Sequence, residues 1–501
     1  MKKINVLCLI LALVMVIGLF AGCGAEKPAD TTAAPVADNE GTPAPVVDDK
    51  DYKYGTVHGI TWTWGGKADA ADATAVQREE ERNAMYFLDT GNTRECVAFS
   101  YNYDTVGALF EGGQMPTLFT VSATEPMRLV DAGWGRDITS AVEKMGINLD
   151  DFNQAILETY KDENGAVYGL PYSAYSMCLV ANAALYREAG IVDENGNPKA
   201  PATWDEIITQ SAEIKAKTGK GGLALQCCDR QGGWFFTNIA WNFGADLCVW
   251  DADAGKFVSG VNSQATIDAI TWWQKACASD AIVGSPATDN RSANQNMLKS
   301  GEASLILGAS DFAPGMTDNT ADGMPATDIC YFNMPAGPGG EQYNLMGGAG
   351  YWFSSSATDE QVIAALEYLI NYGTFVQEWS ETAKQSSVQS WQDQRVKERA
   401  QILSFPVYNV PYQEEYNKLL LETSGGNGDL YDFYAQFGTV WEQANKVGAM
   451  HPEEECDTQN LYQELTNILQ EVSVNPDADV AALVAQADVN YADLLVIAQG
   501  G

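Results

Sequence analysis

The segment Ile60-Thr-Trp-Thr-Trp-Gly-Gly66 opens a pattern of short strands and helices that decides the fold class. Its β-branched and aromatic residues favour a strand, and the glycine pair ends that strand. A charged, helix-forming stretch follows at 77–88, and further strand-like runs lie at 95–100 and 117–121. Strand, helix and strand in this order predict an α/β fold with a mostly parallel sheet.

Three helices farther along the chain have clear start signals. Thr203-Trp-Asp-Glu206 and Thr358-Asp-Glu-Gln361 have the pattern of a capping box, in which the first and fourth side chains satisfy free backbone amides. Ser263 is predicted to begin a third helix. Trp272 and Trp273 are neighbours on that helix, so we expect only one of the two rings to be buried. Trp204, at a helix start, is expected to pack in the core.

The composition indicates a large protein with more than one hydrophobic core. The chain has 501 residues, of which 46% are hydrophobic and 10% aromatic. A single core rarely serves a chain of this length, so we expect two or more lobes.

The chain is strongly acidic, with 29 Lys and Arg against 67 Asp and Glu and a net charge of −38. Binding to nucleic acid depends on Lys and Arg that replace the counterions of phosphates, so this partner is not expected. We interpret the acidity as a source of solubility.

The cysteines do not form a dense disulfide framework. Cys8 and Cys23 lie in the N-terminal apolar region, and the other eight are scattered through the chain. Cys178 and Cys277 lie in apolar stretches and are interpreted as small core residues. The sequence does not decide whether any of the eight are paired.

The first 23 residues have the layout of an export signal. Lys2 and Lys3 precede an apolar run that ends at Phe20, and small residues lead to Cys23. This layout resembles a bacterial lipoprotein signal, in which Cys23 becomes the lipidated first residue. Residues 24–53 are rich in Ala, Pro, Asp and Thr, which predicts a disordered linker. The alternative is an uncleaved membrane anchor, since the apolar run is nearly long enough to span a bilayer.

Several blocks of sequence stand out in the central part of the chain. They are Tyr168-Gly-Leu-Pro171 with Leu179-Val-Ala-Asn182 and Leu185-Tyr-Arg-Glu-Ala-Gly190, then Pro201–Glu206, Gly233–Gly244, Ser300–Gly308, Pro335–Gly340 and Gly347–Tyr351. These blocks, in this order, resemble those of extracellular solute-binding proteins of ABC importers, the family-1 type. The segment from Met316 to Ile329 has no counterpart in the family pattern.

The resemblance implies an α/β fold of two lobes, similar to periplasmic binding proteins, with a hinge and a ligand cleft between the lobes. Lobe 1 would contain residues 54–172 and 345–375. Lobe 2 would contain residues 177–342 and 376–501, including the C-terminal helices. Closure of two lobes around a solute gives a transporter a distinct shape to recognise.

The same resemblance places several aromatic residues at the expected cleft. Sugar sites pair aromatic rings with a few polar groups, and this chain has 13 Trp and 22 Tyr. The expected ligand contacts are Trp64, Gly65, Asp104, Tyr172, Tyr175, Trp234, Asp311, Phe312, Tyr351 and Trp352. Core packing is the alternative for each aromatic residue, and solvated surface is the alternative for each acid.

The resemblance predicts a membrane-anchored receptor on the outer face of the cell membrane. The receptor would bind a mono- or oligosaccharide and deliver it to the permease subunits of an ABC importer. We expect a monomer with no cofactor, no metal and no nucleic-acid partner. A receptor for a polyamine or another cationic solute is the alternative, because an acidic cleft would attract a cation.

A second alternative is an enzyme. Only two histidines occur, His58 and His451. Few residues are therefore available for catalysis by a Ser/Cys–His pair or for a histidine-rich metal site. A glycosidase needs only two carboxylates, and the sequence does not exclude one. A third class, a surface glycan-docking protein without a transporter, would not need a hinge. We therefore predict a protein that is not an enzyme.

Overall fold

The computed structural model describes residues 55–123, 125–317, 322–400, 407–424 and 450–500. The predicted signal with Cys23 and the predicted linker lie outside these residues. The described strands are β1 Thr61–Trp64, β2 Thr93–Cys96, β3 Leu118–Ser122, β4 Gly169–Asn182, β5 Leu223–Ala224, β6 Cys248–Asp251, β7 Lys256–Ser259, β8 Ile282–Val283, β9 Leu305–Ala309, β10 Ile329–Phe332, β11 Asn344–Phe353 and β12 Met450–His451.

Helices cover both faces of the sheets. In the described part of the chain they are α1 Ala73–Thr90, α2 Val106–Glu111, α3 Pro126–Asp131, α4 Thr139–Lys144, α5 Gln154–Leu157, α6 Ala183–Ala189, α7 Trp204–Thr218, α8 Asp229–Asn242, α9 Gln264–Cys277, α10 Arg291–Ser300, α11 Ala313–Met316, α12 Asp359–Asn371, α13 Glu381–Val396, α14 Gln413–Ser424, α15 Thr458–Val474 and α16 Val480–Ala498.

The main sheet is continuous, with the strand order β2-β1-β3-β11-β4-β9-β5-β8. Strands β10 and β12 pair with β4 and β11, respectively, and β6 and β7 form a separate hairpin. The pairs β1–β2, β1–β3, β5–β9, β5–β8 and β11–β12 are parallel. The pairs β3–β11, β4–β11, β4–β9 and β4–β10 are antiparallel. The predicted α/β class is confirmed, although the sheet is mixed.

Strand β4 connects two halves of the molecule. Its first part, Gly169 to Ser176, pairs with β11, and its second part, Met177 to Ala181, pairs with β9. The side chains pack into separate hydrophobic cores on the two sides of this change of partner. The fold therefore has two lobes, with β4 and β11 as the crossing strands.

Lobe 1 is defined here by the cores that contain Trp62 to Leu170 and Met346 to Phe375. Lobe 2 is defined by the core that contains Met177 to Leu345 and Leu461 to Leu495. The lobe boundaries expected from the sequence remain a prediction.

The segment after lobe 1, which we expected to belong to lobe 2, touches both lobes. The ring of Tyr408 lies 4.6 Å from that of Phe152 in lobe 1. The amide of Ala400 donates to Thr317 Oγ1 in lobe 2 at 2.7 Å. The described part of residues 376–424 therefore contacts both lobes, and its assignment to lobe 2 stays a prediction.

Local start signals were predicted well. Thr358 and Gln361 form both hydrogen bonds of the capping box at α12. Thr203 caps α7, although Glu206 reaches back to the amide of Ala202 instead of that of Thr203. Ser263 caps α9 as predicted.

The expectation that only one ring of Trp272 and Trp273 is buried was wrong, because both are buried. Helix α9 lies between two layers of lobe 2. Trp272 packs edge-on against Trp204 of α7 at 5.0 Å, and Trp273 donates from Nε1 to Ser473 of α15 at 2.9 Å. Both faces of α9 are therefore covered, and Trp204 is a core residue as predicted.

Helix α16 has the length and apolar composition of a membrane span. In the structure, five of its side chains pack into lobe 2. They are Val480, Val484, Ala487, Tyr491 and Leu495. One face of α16 therefore packs against the core of lobe 2.

Replacing Trp273 by Ala should lower the free energy of unfolding by about 3–5 kcal/mol, because a fully buried indole leaves a large cavity. The matched control is Trp250→Ala, since the Trp250 side chain is 54% exposed, and the expected change is within about 0.5 kcal/mol. Urea denaturation followed by circular dichroism measures both. Equal losses in the two variants would contradict the assignment of Trp273 to the core.

Candidate functional site

A cavity of about 310 Å³ lies between the lobes, beside the crossing strands. Lobe 1 contributes Ser122 at the end of β3 and Gly348 of β11, and β4 contributes Tyr175. The remaining walls come from lobe 2. The cavity is therefore formed by the approach of two lobes, which is the arrangement expected of a closing receptor.

The Tyr175 ring needs a glycine beside it. Tyr175 and Gly347 are directly opposite each other on β4 and β11. A Cβ atom at Gly347 would lie 2.2 Å from the Tyr175 ring, closer than any contact can tolerate. The glycine-rich run in β11 thus allows an aromatic side chain at the hinge to lie flat against the sheet.

Trp234 on helix α8 supplies the partly exposed aromatic wall of the cavity. Its ring meets the ring of Tyr175 edge-on at 6.3 Å and that of Phe235 edge-on at 4.9 Å. Edge-on neighbours hold the indole in place while leaving part of its surface accessible. An apolar ring face of a ligand could therefore pack on Trp234.

Close packing of α8 on α15 brings Trp234 and Tyr462 to the same cavity. A Cβ atom at Gly233 would lie 2.1 Å from the carbonyl oxygen of Tyr462, so only glycine permits this approach. The amide of Gly233 also donates to Thr466 Oγ1 at 2.8 Å. The two helices therefore touch at their backbones next to the site.

Two carboxylates face the cavity. Burial raises the pKa of Glu453 to about 7, and this carboxylate accepts hydrogen bonds from the Tyr462 hydroxyl and the Trp234 indole. Burial also raises the pKa of Asp311, and the nearby positive charge of Arg291 partly opposes that increase. When Glu453 is protonated, its carboxyl group can donate a hydrogen bond as well as accept one.

Two arginines lie beside these acids. Arg291, at the start of α10, and Arg230, in the first turn of α8, both line the cavity. Arg230 forms two hydrogen bonds to Asp104, each 3.2 Å long. No group of three or more His, Cys, Asp or Glu residues in the described ranges is arranged to hold a metal ion.

Four of the residues expected from the sequence line this cavity, namely Tyr175, Trp234, Asp311 and Phe312. Asp104 lies at its edge, and its carboxylate is bound to Arg230. These five come from β4, α8, the turn after β9 and the segment before α2, so the tertiary fold brings them together.

The other expected residues lie elsewhere. Trp64 and Tyr351 line a different hollow in lobe 1, with their rings 5.7 Å apart, and Tyr172 stacks on Tyr351 at 4.6 Å. The amide of Gly65 donates to the carbonyl oxygen of Leu118 at 2.8 Å, and this hydrogen bond links the end of β1 to β3.

Trp352 is fully buried and stacks on Tyr168, so its ring does not reach the cavity. Neighbouring residues of a strand face opposite sides of the sheet, and Trp352 faces the core of lobe 1. We therefore leave Trp352 out of the proposed ligand contacts.

Sequence reasoning missed several residues of the site. Glu453, Gln459 and Tyr462 come from the C-terminal segment, and Arg291 comes from the start of α10. The acidic run Glu453-Glu-Glu455 was visible in the sequence. With 67 acids in the chain, it did not stand out from solvated surface.

The fold and the interlobe cavity define a two-lobe solute receptor, and comparisons with known proteins agree. The profile of the bacterial extracellular solute-binding protein family matches residues 97–374, more than half of the chain. The chain belongs to this family. The resemblance inferred from the sequence blocks is thereby confirmed, and the family places such proteins outside the cytoplasm.

Curated relatives include putative binding proteins of Brucella abortus (strain 2308) and Brucella suis biovar 1 (strain 1330). Each is 25% identical over 334 residues, which cover 64% of this chain and 77% of the relative.

Solved structures share the fold at low sequence identity. UgpB from Mycobacterium tuberculosis, in complex with glycerophosphocholine, has a TM-score of 0.62 at 15% identity and covers 88% of this chain and 98% of its own. The GacH receptor of Streptomyces glaucescens, solved unliganded and with acarbose, has a TM-score of 0.59 at 17% identity, with coverages of 87% and 98%. Maltose-bound MalE3 of T. maritima has a TM-score of 0.60 at 15% identity, with coverages of 87% and 100%.

Glu453 should make stability depend on pH. Its pKa is raised by burial from 4.5 to about 7, so its contribution to stability is complete below about pH 4.5 and is lost as the pH rises to about 7. Glu453→Gln should flatten this part of the profile and be more stable than the wild type above pH 7. Thermal melts between pH 4.5 and pH 8 measure the effect.

Glu454→Gln is the matched variant for this test. Burial raises the pKa of Glu454 to about 7 as well, but its carboxylate accepts from Trp241 at 2.7 Å and lies outside the cavity. We expect the same flattening in this variant. A wild-type pH profile in Glu453→Gln would contradict the burial of that carboxylate.

Proposed function

We propose that this protein is an extracytoplasmic receptor for a carbohydrate and that it delivers the sugar to the permease of an ABC importer. One observation supports this proposal most directly. The partly exposed ring of Trp234 lies in the interlobe cavity beside Asp311, Glu453 and two arginines. Sugars present an apolar ring face and polar edges, and this cavity offers a partner for each.

The balance of charge in the cavity favours a neutral, hydroxyl-rich solute. Arg291 accompanies the two carboxylates, and Arg230, which is paired with Asp104, also lines the cavity. A polyamine would meet these positive charges, and the raised pKa of Asp311 and of Glu453 would weaken the acids that attract it. The cavity is therefore not strongly negative, although the whole chain is acidic.

Related folds provide further support for a sugar or a sugar-like solute. Acarbose is bound by GacH, and maltose by MalE3. Glycerophosphocholine is bound by UgpB, so the same fold also serves a solute that is not a sugar. A glycosidase remains the second candidate, because Asp311 and Glu453 both face the cavity and both have a raised pKa, as general acids do.

The test is a ligand panel of mono- and oligosaccharides, polyamines and amino acids, read by tryptophan fluorescence and thermal shift. A bound sugar at a hundredfold excess over its dissociation constant should add about 2.7 kcal/mol to stability. Recovery of the sugar unaltered would support a receptor, and its consumption would support the glycosidase. A response to polyamines alone would contradict the carbohydrate proposal.

Trp234→Ala should weaken binding of the responding sugar by at least about 30-fold, since loss of a central aromatic contact costs about 2 kcal/mol or more. Trp64→Ala is the matched control, because Trp64 lies in the separate hollow of lobe 1 and should leave affinity unchanged. Isothermal titration measures both variants. A loss confined to Trp64→Ala would move the ligand to the hollow beside Tyr351.

Anchoring through Cys23 is also proposed. A lipidated Cys23 should give a mature protein that fractionates with the membrane and whose N-terminal peptide begins at Cys23 with the added mass of a lipid. Cys23→Ser should remove the lipid from this peptide. A wild-type peptide that retains Lys2 and Lys3 would instead support the uncleaved anchor.

A further inference from the structure

The two lobes touch at a second place, across the cleft from the crossing strands. Asp104, just before α2 of lobe 1, accepts two hydrogen bonds from Arg230 of α8 in lobe 2. Each terminal nitrogen of the guanidinium group lies 3.2 Å from a different carboxylate oxygen. Such a two-point contact has a defined geometry, unlike a pair held at one point.

Two further hydrogen bonds join the lobes beside this ion pair. The Tyr103 hydroxyl donates to Asp457 at 3.4 Å, and the Gln459 side-chain amide donates to Glu125 at 3.1 Å. Asp457 immediately precedes α15 and Gln459 lies in its first turn, so both belong to lobe 2. Three cross-lobe contacts therefore form one cluster.

The lobe 1 side of this cluster is fixed before closure. Arg128 lies over the Tyr103 ring at 3.8 Å, donates to the Tyr103 carbonyl at 3.2 Å and pairs with Glu125 at 3.6 Å. Glu125 also accepts from the Tyr101 hydroxyl and is buried. Since these partners are all in lobe 1, closure does not have to order them.

Arg230 belongs to this cluster and to the ligand cavity. Its guanidinium lies 5.1 Å from the Tyr103 ring, and its side chain also lines the cavity. Its Nε–H is buried and has no hydrogen-bond partner within the described residues. The terminal nitrogens thus hold lobe 1, while the same side chain forms part of the cavity wall.

We propose that Asp104 and Arg230, together with the Tyr103–Asp457 and Gln459–Glu125 contacts, form a latch that favours the closed state before any solute binds. The solute then adds to an existing closure instead of supplying all of its free energy. A solute that contacts Arg230 in the cavity would further fix the side chain that holds Asp104. The latch rests on the two-lobe receptor architecture and not on the identity of the solute.

The latch should respond to salt. The Asp104 and Arg230 side chains are partly exposed, so their attraction is reduced when the Debye length falls to about 3 Å near 1 M salt. The backbone pairing of β4 with β11 is not an ion pair and should persist. High salt should therefore open the lobes while the hinge stays intact.

The experiment measures the radius of gyration of the ligand-free protein by small-angle X-ray scattering, at low salt and near 1 M salt. Wild-type protein should be more compact at low salt, and Asp104→Asn should have the larger radius at both. Asp328→Asn is the matched control, since Asp328 pairs with Arg187 at 3.8 Å entirely within lobe 2, and it should match the wild type.

Exchanging the charges of Asp104 and Arg230 separates loss of the ion pair from damage that a single substitution does to the fold. Asp104→Arg and Arg230→Asp should each open the protein, and the double variant should restore the compact low-salt radius. Circular dichroism checks that every variant is folded. An unchanged radius in Asp104→Asn, or no restoration in the double variant, would overturn the latch.

No ligand is present in these measurements. Failure of the latch would therefore leave the carbohydrate proposal standing, and failure of the sugar panel would leave the latch standing.

Discussion

The pairing of β4 with β11 is the interaction on which the other features of this structure depend. These two strands run from one hydrophobic core to the other, and their register aligns Gly347 with Tyr175 and Gly348 with Ala174. A Cβ atom at Gly348 would lie 2.5 Å from the carbonyl oxygen of Ser173. The close approach of these strands therefore requires glycine, and it places one aromatic side chain at the boundary of the lobes.

A second close contact, between α8 and α15, completes the cavity. It joins a helix from the middle of the chain to one from the C-terminal segment, through Gly233 and the backbone of Tyr462. Next to this contact the carboxylate of Glu453 is buried, and burial raises its pKa because it disfavours the charged form. The cost of burying that carboxylate is offset in part by the hydroxyl of Tyr462. The wall that holds the proposed sugar platform is thus built from distant parts of the sequence.

This construction explains what the sequence could and could not predict. The cap at Thr358 depends on four consecutive residues and was predicted correctly, and so was the two-lobe class, which rests on ordered blocks along the chain. Both Trp234 and Trp352 were expected to contact the ligand, but only Trp234 lines the cavity, whereas Trp352 is fully buried. Alternation along β11 puts Tyr351 and Trp352 on opposite faces of the sheet, but local sequence does not reveal that both faces are covered by hydrophobic cores of lobe 1.

The site residues of the C-terminal segment could not be predicted from local sequence either, because their positions also depend on how distant elements pack. Gln459 reaches the cleft because α15 packs on α8, and no periodicity or motif near position 459 encodes that contact. Arg230 was not among the site residues expected from the sequence. Its actual partner, Asp104, lies 126 positions away in the chain and in the opposite lobe.

Hydrogen exchange with and without the bound solute, read by mass spectrometry, tests the central claim that the solute lies between the lobes. The account predicts slower exchange in segments from both lobes that meet at the cavity, namely the start of α8, the turn after β9, residues 453–462 and the crossing strands. Protection confined to lobe 1 around Trp64 and Tyr351, with α8 and residues 453–462 unchanged, would contradict it.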